Sequence, residues 1–283
     1  MKIPEPDFFT VFKTRLKDRF YRKSIRLQYG GKREKVKLFS MGEVFRLQRY
    51  KFEDRRLDAL TELSEYTGDS LEVTEKRLME AEVQTDEKFL SEPRNDDETV
   101  RKFYADTPEY IYCPMRASFE FRHLTKRANT ALSVSLHFGK KDVMDFGGGS
   151  GRDALTFAGK GFNVTHVDCL GHLTDFAKWR YQKRGLNVSL LDSKDLVRDK
   201  RTYDVIICFD VLEHIIDPLR WLKVFYDKLN EKGLLFIFAD FDNLDTPLHL
   251  PENTKFYHQI EQELRGLGLK KIGHMGISMW TKG

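Results

Sequence analysis

Apolar and polar positions change rhythm along this chain near residue 140. Ahead of that point, bulky side chains recur at helical spacing in charged surroundings. Phe8, Phe12, Leu16 and Phe20 fall every four residues, which lines four large groups along one helix face. Asp69, followed by Glu72 just after Gly68, predicts a helix start, because both carboxylates can reach free amides of a first turn. Residues 95–98 form a polar break, and Val100–Tyr104 then resumes apolar spacing. A long helix from about Ala117 is predicted to end at Gly139, a residue suited to a left-handed cap. No strand is predicted before residue 140.

Beyond it, short apolar runs alternate with helical stretches. Strands are predicted at Val143–Phe146, Val164–Val167, Val188–Leu191, Val205–Phe209 and Leu234–Ala239. Helices are predicted at Asp153–Lys160 and Leu173–Arg184, with a third opening at Asp217-Pro218, a carboxylate cap followed by a proline at the first helical position. Strands this apolar belong in a mostly parallel sheet covered on both faces. The tail, Leu269 to Lys282, alternates like a closing hairpin antiparallel to the rest. The expected architecture is α/β and doubly wound, with a helical lid or substrate region over 1–128 and the sheet domain over 129–283.

Composition narrows the classes. Of the 283 residues 40% are hydrophobic, enough for a packed core, and no run approaches the ~18 apolar residues of a membrane span. The N-terminus mixes Lys, Asp and Arg into its apolar residues, unlike a secretory signal. Three cysteines (Cys113, Cys169, Cys208) carry no metal-type spacing, so a reducing cytoplasm is the expected location. The net charge of +4 is uneven: residues 1–60 carry 17 Lys/Arg against 8 Asp/Glu, and the remainder 31 against 36. A nucleic-acid or anionic-membrane partner would have to use the N-terminal fifth.

The most informative segment is Asp145-Phe-Gly-Gly-Gly-Ser-Gly151-Arg152, between a strand and a helix. Glycines let the backbone turn sharply and approach a ligand closely. The dinucleotide spacing G-x-G-x-x-G fails because position 152 is arginine, and a Walker loop fails for want of Gly-Lys-Ser/Thr. The spacing acidic-x-Gly-x-Gly-x-Gly fits, as Asp145, Gly147, Gly149 and Gly151. It resembles motif I of the class I S-adenosylmethionine-dependent methyltransferases. Asp168 ends the second strand, Asp192-Ser193 follows the third, and Gly233–Ala239 looks like the fifth. Tyr203–Ile215 closely resembles the fourth-strand motif of the ubiquinone-pathway type of small-molecule methyltransferase.

The resemblance covers roughly residues 115–283. It implies a seven-stranded Rossmann-like sheet, S-adenosylmethionine as cofactor, and methyl transfer to a small-molecule acceptor, foremost at oxygen. It further implies that Asp145, Gly147, Gly149, Gly151 and Phe209 surround the cofactor, Asp168 holds the ribose hydroxyls, and Asp192 and Ser193 meet adenine. A carboxylate near the cofactor's ammonium group favours binding electrostatically.

Methyl transfer needs an aligned nucleophile, exclusion of water and, for some acceptors, a base. In such a fold the acceptor lies beyond the fourth and fifth strands, near Asp210, Glu213, His214 and, on the following loop, His249. His249 or His214 is the expected base, since imidazole titrates near neutral pH. Tyr104, with Tyr110 and Tyr112, is expected to line the mouth of the site. Asp210-x-x-Glu213-His214 resembles the Glu-x-x-Glu-His pattern with which some ubiquinone-type and RNA 2′-O-methyltransferases hold a divalent ion, with a shorter first arm; the expectation taken forward is a site without metal. Lys13, Arg15, Lys17, Arg19 and Arg22 beside the Phe8–Phe20 stripe leave two alternatives: an RNA methyltransferase gripping phosphates, and a cofactor-binding protein that docks on a membrane or partner without catalysis.

Overall fold

A computed structural model describes residues 24–48, 55–243 and 245–283. The Phe8–Phe20 stripe and its flanking cations lie outside the described residues. The first described element corrects the strand-free reading of this region: β1 (Ser24–Tyr29) and β2 (Lys32–Lys37) form an antiparallel hairpin. Ile25, Leu27 and Val36 alternate into the core, and Gly30-Gly31, with φ of 55° and 78°, makes the two-residue turn between them. Arg26, Arg33, Lys35 and Lys37 occupy the exposed face.

Helices then follow: α1 (Met41–Leu47), α2 (Arg55–Thr67), α3 (Leu71–Ser91), α4 (Asp97–Asp106), α5 (Tyr112–Glu120) and α6 (Arg122–His137). Ser70, not Asp69, caps α3 by accepting from the Val73 amide, while the Asp69 carboxylate is drawn to Arg77 at 2.6 Å. In α4 the polar break becomes a cap, Asp96 accepting from the Thr99 amide at 2.8 Å. The single helix expected from Ala117 is split at Phe121, whose extended backbone (φ −105°, ψ 91°) separates α5 from α6. The end at Gly139, φ 66°, is as expected. The boundary expected at 128/129 falls inside α6.

The remainder alternates as predicted: β3 (Asp142–Phe146), α7 (Arg152–Ala158), β4 (Asn163–Asp168), α8 (His172–Lys183), β5 (Val188–Asp192), β6 (Tyr203–Phe209), α9 (Pro218–Lys228), β7 (Leu229–Phe238), α10 (Gln259–Gly266), β8 (Leu269–His274) and β9 (Ser278–Lys282). The seven-stranded sheet runs β5-β4-β3-β6-β7-β9-β8, and β9 alone runs against the others, pairing antiparallel with both β7 and β8. Leu132, Leu155 and Tyr181 from α6, α7 and α8 pack on one face; Trp221, Phe225 and Leu264 from α9 and α10 pack on the other. Chain order reverses between β3 and β6, which opens a crevice above their C-terminal ends. The helices before α6 join this body through Phe176 and Leu173 of α8, and through Leu248 and Leu250, which cover Phe89 and Phe103. Among the described residues no helix is long and apolar enough to cross a membrane.

Candidate active site

Above the crevice lies a cavity of about 330 Å³, walled in part by α4. Its floor is the loop between β3 and α7. There Gly147 and Gly149 face the cavity, and Asp168 at the end of β4 stands beside them. Asp168 Oδ2 accepts from the Gly149 amide at 2.8 Å and Oδ1 from the Cys169 amide at 2.7 Å, so one carboxylate shapes the loop and keeps its remaining lone pairs at the cavity. Ser193 also lines the cavity.

The other expected cofactor residues sit behind this wall. Asp145 is buried below the loop, where burial and the neighbouring Asp153 push its carboxyl up to about 7. Gly151 rests on Tyr181 at the start of α7. Asp192 turns its carboxylate to Arg101. Phe209 lies in the core cluster with Leu132 and Phe236 rather than along the cavity, because strand alternation sends it to that face.

At the far side, Asp210 follows the last residue of β6, and its φ of 56° is unusual for a residue with a side chain. Its amide donates to the Phe238 carbonyl at 3.0 Å, and both carboxylate oxygens accept from Arg127 Nη1 at 2.7 Å. The Arg127 guanidinium lies 3.3 Å over the Phe238 ring. Asp210 is thereby held by Arg127, away from the ligand set that its spacing suggested.

Glu213 and His214 instead meet His249: one ligand atom from each lies within 4.8 Å of the others. Glu213 Oε1 accepts from the Asp240 amide at 2.8 Å, while Oε2 is buried with no partner among the described residues. Burial, with Asp210 nearby, pushes this carboxyl up to about 7. His214 Nδ1 stands 3.0 Å from the Leu248 carbonyl and His249 Nδ1 2.7 Å from that of Asn243. A carbonyl can only accept, so each Nδ1 carries the hydrogen and each Nε2 keeps a free lone pair. Burial holds both imidazoles below the usual histidine range, His249 with further depression from its neighbour His214. Both are therefore neutral bases near pH 7. One carboxylate and two imidazoles oriented in this way can take a proton or hold a divalent cation.

Tyr104 is partly buried and lines the cavity, its ring 5.1 Å from Tyr110 and 6.2 Å from His214. Its hydroxyl has no partner among the described residues. Tyr110 also lines the cavity, but Tyr112 packs with Leu63 and Met115 away from it. Arg101, Arg127 and the buried Glu62–Arg180 pair, which supports the loop at Ser150, had no signal in the sequence beyond being charged positions in helical stretches.

Residues 117–272 match the family described as "Methyltransferase domain". A ubiquinone biosynthesis O-methyltransferase from Rickettsia akari is 28% identical over 126 residues, covering 44% of this chain and 47% of that protein. Its namesake from Coxiella burnetii is 35% identical over 98 residues, covering 34% and 42% respectively. The chain thus spans about half the length, or less, of these curated relatives. A crystal structure of magnesium protoporphyrin IX methyltransferase from Synechocystis PCC 6803 with bound S-adenosylmethionine shares the fold, with a TM-score of 0.50 at 17% identity over 68% of this chain and 99% of that one.

Proposed function

We infer, because this chain belongs to the methyltransferase-domain family, that it moves the methyl group of S-adenosylmethionine to a small-molecule acceptor, foremost at an oxygen atom. The observation that carries this reading is one cavity shared by two kinds of residue. Gly147, Gly149 and Asp168 form a close-approach cradle at the switch point, and His214 faces the same space.

The residues fit the cofactor. A cavity of about 330 Å³ suits a small molecule. Of the carboxylates that line it, Asp97 is paired with Arg220 and Asp210 with Arg127, whereas Asp168 meets no Lys or Arg among the described residues and leaves a negative charge for a cationic ligand. When bound, the cofactor supplies an electrophilic methyl on a positive sulfur. Asp168 would accept from the ribose hydroxyls, Asp192 and Ser193 would stand at adenine, and Asp145 would lie beneath the amino-acid end. Calorimetric titration should show S-adenosylmethionine and S-adenosylhomocysteine binding and NAD not binding; NAD alone in this cavity would end the reading. Asp168→Ala should raise Kd roughly ten- to hundredfold, as buried hydroxyls lose their acceptor at about 1–3 kcal/mol.

The chain's own part in transfer is to hold the acceptor dry and remove its proton. Tyr104 and Tyr110 would wall the acceptor, consistent with the helices of 1–128 serving as lid and 129–283 as the catalytic body. The Nε2 of His249 or His214 would take the proton, so turnover should hold at neutral pH and fall only as pH drops below the usual imidazole range, where the acting base becomes protonated. His249→Ala should lower turnover by about 10²-fold or more.

The Glu213–His214–His249 cluster also supports a second reading, in which these residues hold a divalent cation that would polarise the acceptor oxygen. Treatment with EDTA decides between them: undiminished turnover keeps the imidazole as base, whereas loss restored by Mg²⁺, Mn²⁺ or Zn²⁺ transfers the role to a metal. Three free cysteines, one buried and two partly buried, support a cytoplasmic location.

A further inference from the structure

Helix α4 sends one side chain across the cavity into the sheet. Arg101 donates from Nη2 to Asp192 Oδ1 at 2.7 Å and from Nη1 to the Ser193 hydroxyl and, at 3.6 Å, to the Cys169 sulfur. Its side chain keeps 20% of its surface exposed. Nε is buried without a hydrogen-bond partner among the described residues, the Glu98 carboxylate standing 3.9 Å away. Arg101 and Ser193 line the cavity together with Val100 and Tyr104 of α4 and with Asp168. The two residues assigned above to the adenine end are therefore joined by a cation from a helix 91 positions earlier in the chain.

A guanidinium pinned along one edge is a flat, rigid plane, and part of its surface lines the cavity. Such a plane stacks on aromatic rings, and a purine is the flat aromatic part of the proposed cofactor. A lysine at this position would offer a point charge with no plane. We propose that Arg101 is a cofactor-retaining latch: held by Asp192 and Ser193, its guanidinium forms a wall of the adenine subsite, and cofactor exchange requires this bridge from α4 to open. The latch rests on the reading of the cavity as an S-adenosylmethionine site. It also gives the helical region a share in holding the cofactor, beyond any role in choosing the acceptor.

Exchange kinetics on the full chain test this, with S-adenosylhomocysteine and adenosine as probes and thermal unfolding of the unliganded protein as the check on folding. Arg101→Ala should bind S-adenosylhomocysteine roughly tenfold more weakly, chiefly through faster dissociation. Adenosine should weaken by the same factor, because the lost contact is to the nucleoside. Arg101→Lys should stay nearer the alanine variant than the wild type, and Arg101→Gln should behave like alanine should that variant fold poorly. Unchanged affinity and dissociation in a folded variant would overturn the latch. So would weakened S-adenosylhomocysteine with adenosine unaffected, or full recovery with lysine. A wild-type protein that binds neither probe nor S-adenosylmethionine would instead overturn the cofactor reading itself.

Discussion

Gly151→Ala should nearly abolish cofactor binding and cost the fold about 2–5 kcal/mol, the sum of a backbone and a packing penalty. Gly151 has φ of 79°, where a residue with a Cβ is strained. That Cβ would also lie 2.3 Å from the Tyr181 hydroxyl and 2.7 and 2.8 Å from its ring carbons. Tyr181 is buried, and its hydroxyl is 2.7 Å from His166 Nδ1, so the ring has nowhere to move. The loop must lift instead, carrying Gly149 and its bond to Asp168 away from the cavity. Gly149→Ala is the internal control: its φ is 54°, but its nearest neighbour would be 3.8 Å away, leaving only the backbone penalty of about 1–2 kcal/mol. Melting curves of the two unliganded variants make the comparison, and an S-adenosylhomocysteine titration of Gly151→Ala reads its loss of binding. Equal losses would mean that the loop is not pressed onto Tyr181.

Glu62→Ala should destabilise the protein by about 3–5 kcal/mol, because it removes a buried carboxylate that two buried guanidinium groups share. Glu62 Oε2 accepts from Arg180 Nε at 2.9 Å, and Oε1 accepts from Arg184. Arg180 in turn donates to the Ser150 carbonyl at 2.5 Å and Arg184 to the Gln48 carbonyl at 2.7 Å. The carboxylate of α2 is thus a counter-ion that ties α2 to α8 under the glycine loop. Burial alone would raise the Glu62 carboxyl, but Arg180 and Arg184 outweigh it and hold the group below the usual range. Its contribution is therefore complete above the unfolded value of about 4.3 and is lost as pH falls through the lower folded value. Urea unfolding should show a wide gap between wild type and variant at pH 7 and a narrower one in strong acid. A variant as stable as wild type at pH 7 would show that the pair contributes nothing net.

Legibility in the sequence followed the range of the interaction. The strands of the sheet, the Asp217-Pro218 helix start and the glycine loop are local: each depends on residues within a few positions of one another, and periods of 2.0 and 3.6 report them directly. The β1–β2 hairpin was equally local, with Ile25 and Leu27 alternating into Gly30-Gly31, but charged neighbours hid it among helix-like stretches. The Asp69 start failed by one residue because Ser70 competes for the same amides, and Arg77 offers Asp69 a better partner. The break at Phe121 has no glycine or proline to mark it; the direction in which α5 and α6 must pack decides it.

The site divides along the same line. Asp168, the glycine loop and His214 were readable because their spacing along the chain sets their geometry. Arg101 with Asp192, Arg127 with Asp210, and Glu62 with Arg180 lie 91, 83 and 118 positions apart. Periodicity shows which face of a helix is buried, but it does not say which of 48 cations meets which of 44 carboxylates once that face is covered. The sequence alone determined the doubly wound sheet and the glycine loop with Asp168 beside it. Only the tertiary structure turned Asp210 to Arg127, brought His249 within ligand distance of Glu213 and His214, and carried Arg101 of the helical region to Asp192 and Ser193. Those outcomes come from the packing of helices against the sheet, which converts distant charges into neighbours in a medium where an unpaired charge is too costly to leave.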